Sequence, residues 1–227
     1  LGWLVPEDVS LTYDAGRREV TRHAEGRAVV VGDDVFAALE AELAAGGPRD
    51  QWFGYLGYAA RPDLPAHGGG SASGDVPDAV WMRPSRLRLF DHPASDAASD
   101  AASDAAARSG PGSPAPPGPA VSPPAGYAAA FAEVQEQLHA GNSYEVNLTY
   151  RLDTPSDLDP VTAYLRLRAL NPAPYAGFLQ HDVPDARGWL LSSSPERYAV
   201  VAADRTLETR PIKGTTPRGA TPAEDAA

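Results

Sequence analysis

The 227 residues contain no cysteine and a single methionine. The missing thiols exclude disulfides, a thiolate nucleophile and cysteine-type zinc sites, and they fit a reducing compartment. No run approaches the roughly 18 consecutive apolar residues that a membrane helix needs, so no membrane partner is expected. Basic residues are scarce. The chain has 19 Lys and Arg against 30 Asp and Glu, a formal net charge of −11. That balance argues against a nucleic-acid partner, because phosphate backbones are bound by basic stripes. No P-loop or dinucleotide fingerprint occurs. The five histidines, His23, His67, His92, His139 and His181, lack metal-ligand spacing such as His-x3-His. The chain opens at Leu1 with no basic n-region and no apolar h-region. These absences lead to the expectation of a cytoplasmic protein whose natural N-terminus is not Leu1.

Hydrophobic residues make up 43% of the chain, enough for a core. Glycine (21) and proline (23) together are about 19% of the residues, against a usual total near 12%. Much of the excess lies between Pro93 and Gly126, where an Ala-Ser-Asp repeat gives way to a Pro/Gly/Ser tract. Such a stretch buries too little to offset its ordering entropy, so residues 93–126 are expected to be a disordered linker. It divides the chain into residues 1–92 and 127–227.

Periodicity supplies the elements on either side. Leu11–Tyr13 and Glu19–Thr21 read as strands around a turn at Ala15-Gly16. Asp33 or Asp34 caps a helix whose Val35, Phe36, Leu39 and Leu43 share a face, and Gly46-Gly47 stops it. Gln51–Tyr58, Ala79–Met82 and Arg86–Phe90 read as further strands. After the linker, Tyr127, Phe131, Val134 and Leu138 form a helical stripe closed by Gly141. Tyr144–Leu152 alternates strictly, apolar at even positions, which predicts a strand with Glu145, Asn147 and Thr149 on its polar side. Asp159-Pro160 opens a helix with Val161, Tyr164, Leu165 and Leu170 inward, and Asn171-Pro172 ends it. Ala176–Gln180, Trp189–Ser193, Arg197–Val201 and Thr206–Ile212 complete an α+β pattern. A hairpin folded about Ala203-Asp204 would bring Glu196 nearly opposite Pro211-Ile212, with Lys213 one step further.

Three side chains could do chemistry. Lys213 leaves a strand between Arg210 and Arg218, beside Gly214 and Thr215. Burial and neighbouring positive charge lower an amine's pKa and make it nucleophilic, and the Gly-Thr pair suits a carboxylate. The plainer reading is a solvated lysine after an edge strand. Glu196, fixed behind Pro195, could be a general acid or base, or half of a structural Glu–Arg pair. Asn147, on the polar side of its strand, would be a buried amide held by backbone or by a ligand.

Five segments occur in order: Phe53-Gly54-Tyr55-Leu56-Gly57-Tyr58, Ala140-Gly141-Asn142-Ser143-Tyr144-Glu145-Val146-Asn147-Leu148, Asn171-Pro172-Ala173-Pro174-Tyr175, Ser193-Ser194-Pro195-Glu196-Arg197 and Arg210-Pro211-Ile212-Lys213-Gly214-Thr215. Together they resemble the chorismate-utilising enzymes, and most of all the branch of aminodeoxychorismate synthase component I. The discriminating residue is Lys213, since the anthranilate, isochorismate and salicylate synthases that share this segment usually carry Ala there. The resemblance implies antiparallel sheets packed together with helices outside, the fold of anthranilate synthase component I, here incomplete at the C-terminus. Residues 1–92 would be the N-terminal component I region and 127–227 the first part of the chorismate-binding region.

It implies that chorismate is aminated to 4-amino-4-deoxychorismate on the para-aminobenzoate and folate route, with ammonia from a glutamine amidotransferase. Lys213 would be the nucleophile, Glu196 the general acid/base and Asn147 a catalytic-site amide. Gly214 and Thr215 would contact the substrate carboxylate. Pro174, Tyr175 and Ala176 match a segment that contacts tryptophan in relatives. Mg²⁺ is implied, with its carboxylate ligands in the family's later segments, so no metal ligand is expected in this chain and the chain alone is expected to be inactive. Anthranilate synthase component I or another chorismate enzyme, and a catalytically incomplete binding chain, are the alternatives.

Overall fold

A computed structural model describes residues 1–61, 76–90, 122–212 and 221. Most of the expected linker 93–126, its residues 93–121, lies outside the described residues. The chain divides into two compact units, Leu1–Ala102 with Pro160–Ala227, and Ser103–Asp159.

The first unit is built on strands β1 (Gly2–Trp3), β2 (Val9–Asp14), β3 (Glu19–Ala24), β4 (Arg27–Gly32), β5 (Phe53–Leu56), β6 (Ala79–Arg83) and β7 (Arg86–Leu87). Five of these form a sheet in the order β4-β3-β2-β6-β5, and every pairing in it is antiparallel. Strands β1 and β7 form a separate antiparallel ribbon. Helix α1 (Val35–Ala45) begins at Asp34, whose carboxylate accepts the N–H groups of Phe36 (2.8 Å) and Ala37 (3.2 Å). Of the two expected caps, Asp34 is therefore the one used.

Central strand β2 is covered on both faces, and the pleat sorts its residues. Leu11 and Tyr13 join Val20, Val35, Ala60 and Ala79 in the core, with Leu39, Trp52 and Trp81 packed against it. Arg22 lies on this side too, directly opposite Leu11, and meets Glu42 of α1 at 2.6 Å. The alternate residues Ser10 and Thr12 are buried on the other face. Glycine is required at position 54, where a Cβ would lie 1.9 Å from the Val80 carbonyl oxygen across the ladder.

Strand β4 was not foreseen, although Val29-Val30-Val31 carries the β-branched composition of a strand. It sits at the sheet edge with all three valines exposed.

Helix α3 (Pro160–Leu170) packs on a hairpin of β8 (Tyr175–His181) and β9 (Gly188–Ser194), in register from Tyr175 opposite Ser194 to His181 opposite Gly188. Of the expected inward face, Tyr164 alone is drawn in, with its ring 5.4 Å from that of Phe178. Val161, Leu165 and Leu170 stay exposed. A short hairpin, β10 (Val200–Val201) with β11 (Leu207–Glu208), completes the unit. Its strands are shorter than the sequence pattern suggested.

In the second unit, helix α2 (Tyr127–His139) spans the expected stripe. Gly141 ends it at φ 73°, and the Asn142 N–H reaches back to the Gln137 carbonyl (3.0 Å) while the Gly141 N–H reaches Leu138 (3.1 Å). This is a Schellman motif. The expected strand 144–152 is not formed, and these residues enter no ladder among the described residues. Alternation prepares a strand's two faces, but a strand exists only where a neighbour accepts its hydrogen bonds. Tyr144 is 99% exposed, and Tyr150 meets Tyr127 edge-on at 5.3 Å between ring centres.

Candidate active site

The short hairpin sets the candidate site by register. Val200 faces Glu208 and Val201 faces Leu207. Continuing the same pairing places Glu196 opposite Ile212, and the backbone N–H of Ile212 donates to Glu196 Oε2 at 3.0 Å. The motif holding Glu196 is thus tied to the motif holding Lys213 at the residue before the lysine. Lys213, Gly214 and Thr215 themselves lie outside the described residues.

Glu196 is half-buried. Its backbone is fixed by Ser194, whose Oγ accepts the Glu196 N–H at 3.2 Å and donates to the Glu196 carbonyl at 2.8 Å. The neighbouring Arg197 gives its guanidinium to Glu208, which also receives Arg210 at 3.1 Å. Arg197 is therefore committed to the β10–β11 hairpin, and Glu196 is not half of an ion pair with it. The Thr209 hydroxyl closes the same hairpin by donating to the Tyr198 carbonyl at 2.7 Å.

Pro174, Tyr175 and Ala176 lie beside this segment. Tyr175 pairs directly with Ser194 and Ala176 with Ser193. Tyr175 is nearly half exposed. The Ser193 hydroxyl donates to the Asn171 carbonyl just past α3, which anchors that end of the β8–β9 hairpin. Asn147 lies in the second unit and is exposed, so the expected buried amide is not observed. Its strand has no ladder partner to cover it.

Nothing in the sequence connects His23 with His181, yet the fold brings their rings to 5.5 Å, edge to face. His181 is fully buried, with Ser10 Oγ at 2.9 Å from Nε2 and the Ala186 carbonyl at 2.7 Å from Nδ1. A carbonyl only accepts, so Nδ1 carries the proton and Nε2 accepts from the serine. His23 Nε2 lies 2.8 Å from Thr12 Oγ1, and its Nδ1 has no partner among the described residues. Burial lowers the His23 pKa to about 4, helped by the facing His181. Burial also lowers that of His181. Both rings are neutral structural groups. They bind the hairpin to the β2–β3 face at the end remote from Glu196.

Among the described residues, no group of three or more His, Asp or Glu side chains is placed to hold a metal ion. No helix among the described residues is long and apolar enough to cross a membrane.

The sequence profile of the chorismate binding enzymes matches residues 8–227. The chain belongs to that family. Among curated relatives, it is 36% identical to the aminodeoxychorismate synthase of Streptomyces pristinaespiralis over 98% of this chain and 36% of that protein. It is 41% identical to aminodeoxychorismate synthase component 1 of Escherichia coli K12 over 44% of this chain and 21% of that protein. An anthranilate synthase component 1 of Haloarcula marismortui is 38% identical over 44% of this chain and 19% of its own length. The chain spans little more than a third of the S. pristinaespiralis relative and less of the other two.

Proposed function

We propose that this chain is the Lys213-bearing part of an aminodeoxychorismate synthase component I, with the anthranilate synthase component I-like fold. The polypeptide that carries it would convert chorismate to 4-amino-4-deoxychorismate on the para-aminobenzoate route. The observation that carries this reading is the bond from the Ile212 N–H to Glu196 Oε2, which unites the two motifs the chemistry needs. A carboxyl group tied to the residue that precedes a lysine supports a role for Glu196 as proton donor and acceptor in substitution at an allylic alcohol.

The Lys213 amine forms a bond to C2 of chorismate, both conjugated ring double bonds shift, and the C4 hydroxyl leaves as water with the proton from Glu196. Ammonia then bonds to C4, both double bonds shift back, and the C2–nitrogen bond breaks to release the lysine. Gly214 and Thr215 hold a substrate carboxylate, and Asn147 supplies an amide to the site. Pro174, Tyr175 and Ala176 form part of a tryptophan contact. Ammonia comes from a glutamine amidotransferase, as a separate subunit or a fused domain, and Mg²⁺ is the cofactor. The protein is cytoplasmic, with residues 93–126 a spacer between the N-terminal region and the chorismate-binding region.

The likeness to the H. marismortui anthranilate synthase component 1 favours a second reading, amination towards anthranilate. Lys213 stands against it, because that branch usually has Ala there. Mass spectrometry decides between them, using the complete gene product with chorismate, Mg²⁺ and an ammonium salt. The expected result is 4-amino-4-deoxychorismate with an adduct on Lys213, both abolished in Lys213→Ala. Anthranilate as product, or unchanged product in Lys213→Ala, would overturn the proposal.

A further inference from the structure

We propose that Ser194 is a positioning residue for Glu196, setting the carboxyl group's direction through the backbone. The inference rests on the acid/base role proposed for Glu196. The Glu196 side chain is held at one point only among the described residues, the Ile212 N–H on Oε2. That single bond fixes one oxygen but leaves rotation about it. The second constraint comes from behind. Ser194 Oγ takes the Glu196 N–H and returns its own proton to the Glu196 carbonyl, so both polar groups of that residue's backbone close on one hydroxyl. Pro195 lies between them and fixes its own φ. The Glu196 Cα–Cβ direction is then determined, and the carboxyl group can reach the Ile212 amide with Oε1 left for a proton in transit.

The neighbouring serine does something else. Successive side chains of a strand point to opposite faces, and the Ser193 hydroxyl goes to the Asn171 carbonyl instead. Ser193 anchors the hairpin end, whereas Ser194 addresses Glu196.

The test is steady-state amination of chorismate by the complete gene product and its variants. Ser194→Ala is expected to lower kcat about tenfold with KM unchanged, a fraction of the 10²–10⁴ that a positioned acid/base supplies. Ser194→Thr, which keeps the hydroxyl, is expected to retain most of the activity. Glu196→Gln is expected to lose about a hundredfold or more. The double variant Ser194→Ala/Glu196→Gln is expected to lose no more than Glu196→Gln alone, since the serine acts through the carboxyl group. A purely structural serine would not show that non-additivity.

An active Glu196→Gln enzyme would remove the role proposed for Glu196 and the inference with it. If Glu196→Gln is inactive but Ser194→Ala is unimpaired, the inference alone fails. An additive double variant, or a Ser193→Ala loss in kcat equal to that of Ser194→Ala, would also overturn it, by showing that hairpin integrity is what matters.

Discussion

Lowering the pH should loosen the contact between the β8–β9 hairpin and the sheet through His23. This ring has a pKa of about 4 in the folded chain against an ordinary value of 6.5, because burial opposes its charged form and His181 faces it. The unfolded chain therefore binds more protons than the folded one between those two values. Stability contributed by the neutral ring is fully present above about pH 6.5 and falls as the pH drops towards 4, at up to about 1.4 kcal/mol per pH unit. Over the whole window the loss is about 3 kcal/mol for His23. His181, lowered in the same direction, adds to it.

Against a typical domain stability of about 5–15 kcal/mol, that is a large fraction. The measurement is urea unfolding of the purified chain across this pH range, compared with His23→Phe/Thr12→Val, which removes the ring and its hydroxyl partner together. The double variant is expected to lose less stability on acidification by about 3 kcal/mol, with carboxylate contributions common to both proteins cancelling. NMR titration of the His23 ring gives the direct reading. A His23 that titrates near 6.5 in the folded protein, or identical pH slopes in the two proteins, would refute the reasoning.

Two further perturbations probe the fold that carries the site. Gly54→Ala places a methyl group 1.9 Å from the Val80 carbonyl oxygen, a backbone atom that cannot swing aside. The expected cost is about 3 kcal/mol or more, seen as a lower Tm, and an unchanged Tm would mean that β5 does not pair with β6 as described. Asp34→Ala removes the cap that satisfies the Phe36 and Ala37 N–H groups. A loss of about 1 kcal/mol in urea unfolding is expected, and no change would mean that packing on the sheet alone holds the helix start.

Features closed by local chemistry were legible in the sequence. Asp34 caps α1, Gly141 closes α2 and Pro160 opens α3, because each boundary depends on residues within one turn of it. Features that need a distant partner were legible only in part. Tyr144–Leu152 has faultless alternation and forms no ladder, since a pattern specifies which face a residue takes and not what lies beside it. The His23–His181 contact joins residues from the two chain segments of the first unit, each unremarkable in its own sequence surroundings. The role of Ser194 is not legible in the sequence for a different reason. Its spacing to Glu196 is that of a serine turn, a common local pattern that signals nothing until the residue it orients matters.

The pairing of Glu196 with Ile212 shows why part of the site could be read at all. A hairpin turns a count along the chain into a position in space, and once Ala203-Asp204 is taken as the turn, each residue on one side has one partner on the other. The observed ladder, Val200 with Glu208 and Val201 with Leu207, is centred on Asp204 and so lies one residue of register from that count, which makes Ile212 and not Pro211 the partner of Glu196, and the Ile212 N–H bond to Glu196 carries this register beyond the last paired residues. A one-residue slip would turn Glu196 to the opposite face and break this bond. The charges bear on the register as well. Glu208 receives both Arg197 and Arg210, one from each strand, so the Arg197–Glu208 bond resists a slip that the short ladder alone would resist poorly. Arg197 and Arg210, one in each motif, thus serve the geometry, and neither forms an ion pair with Glu196.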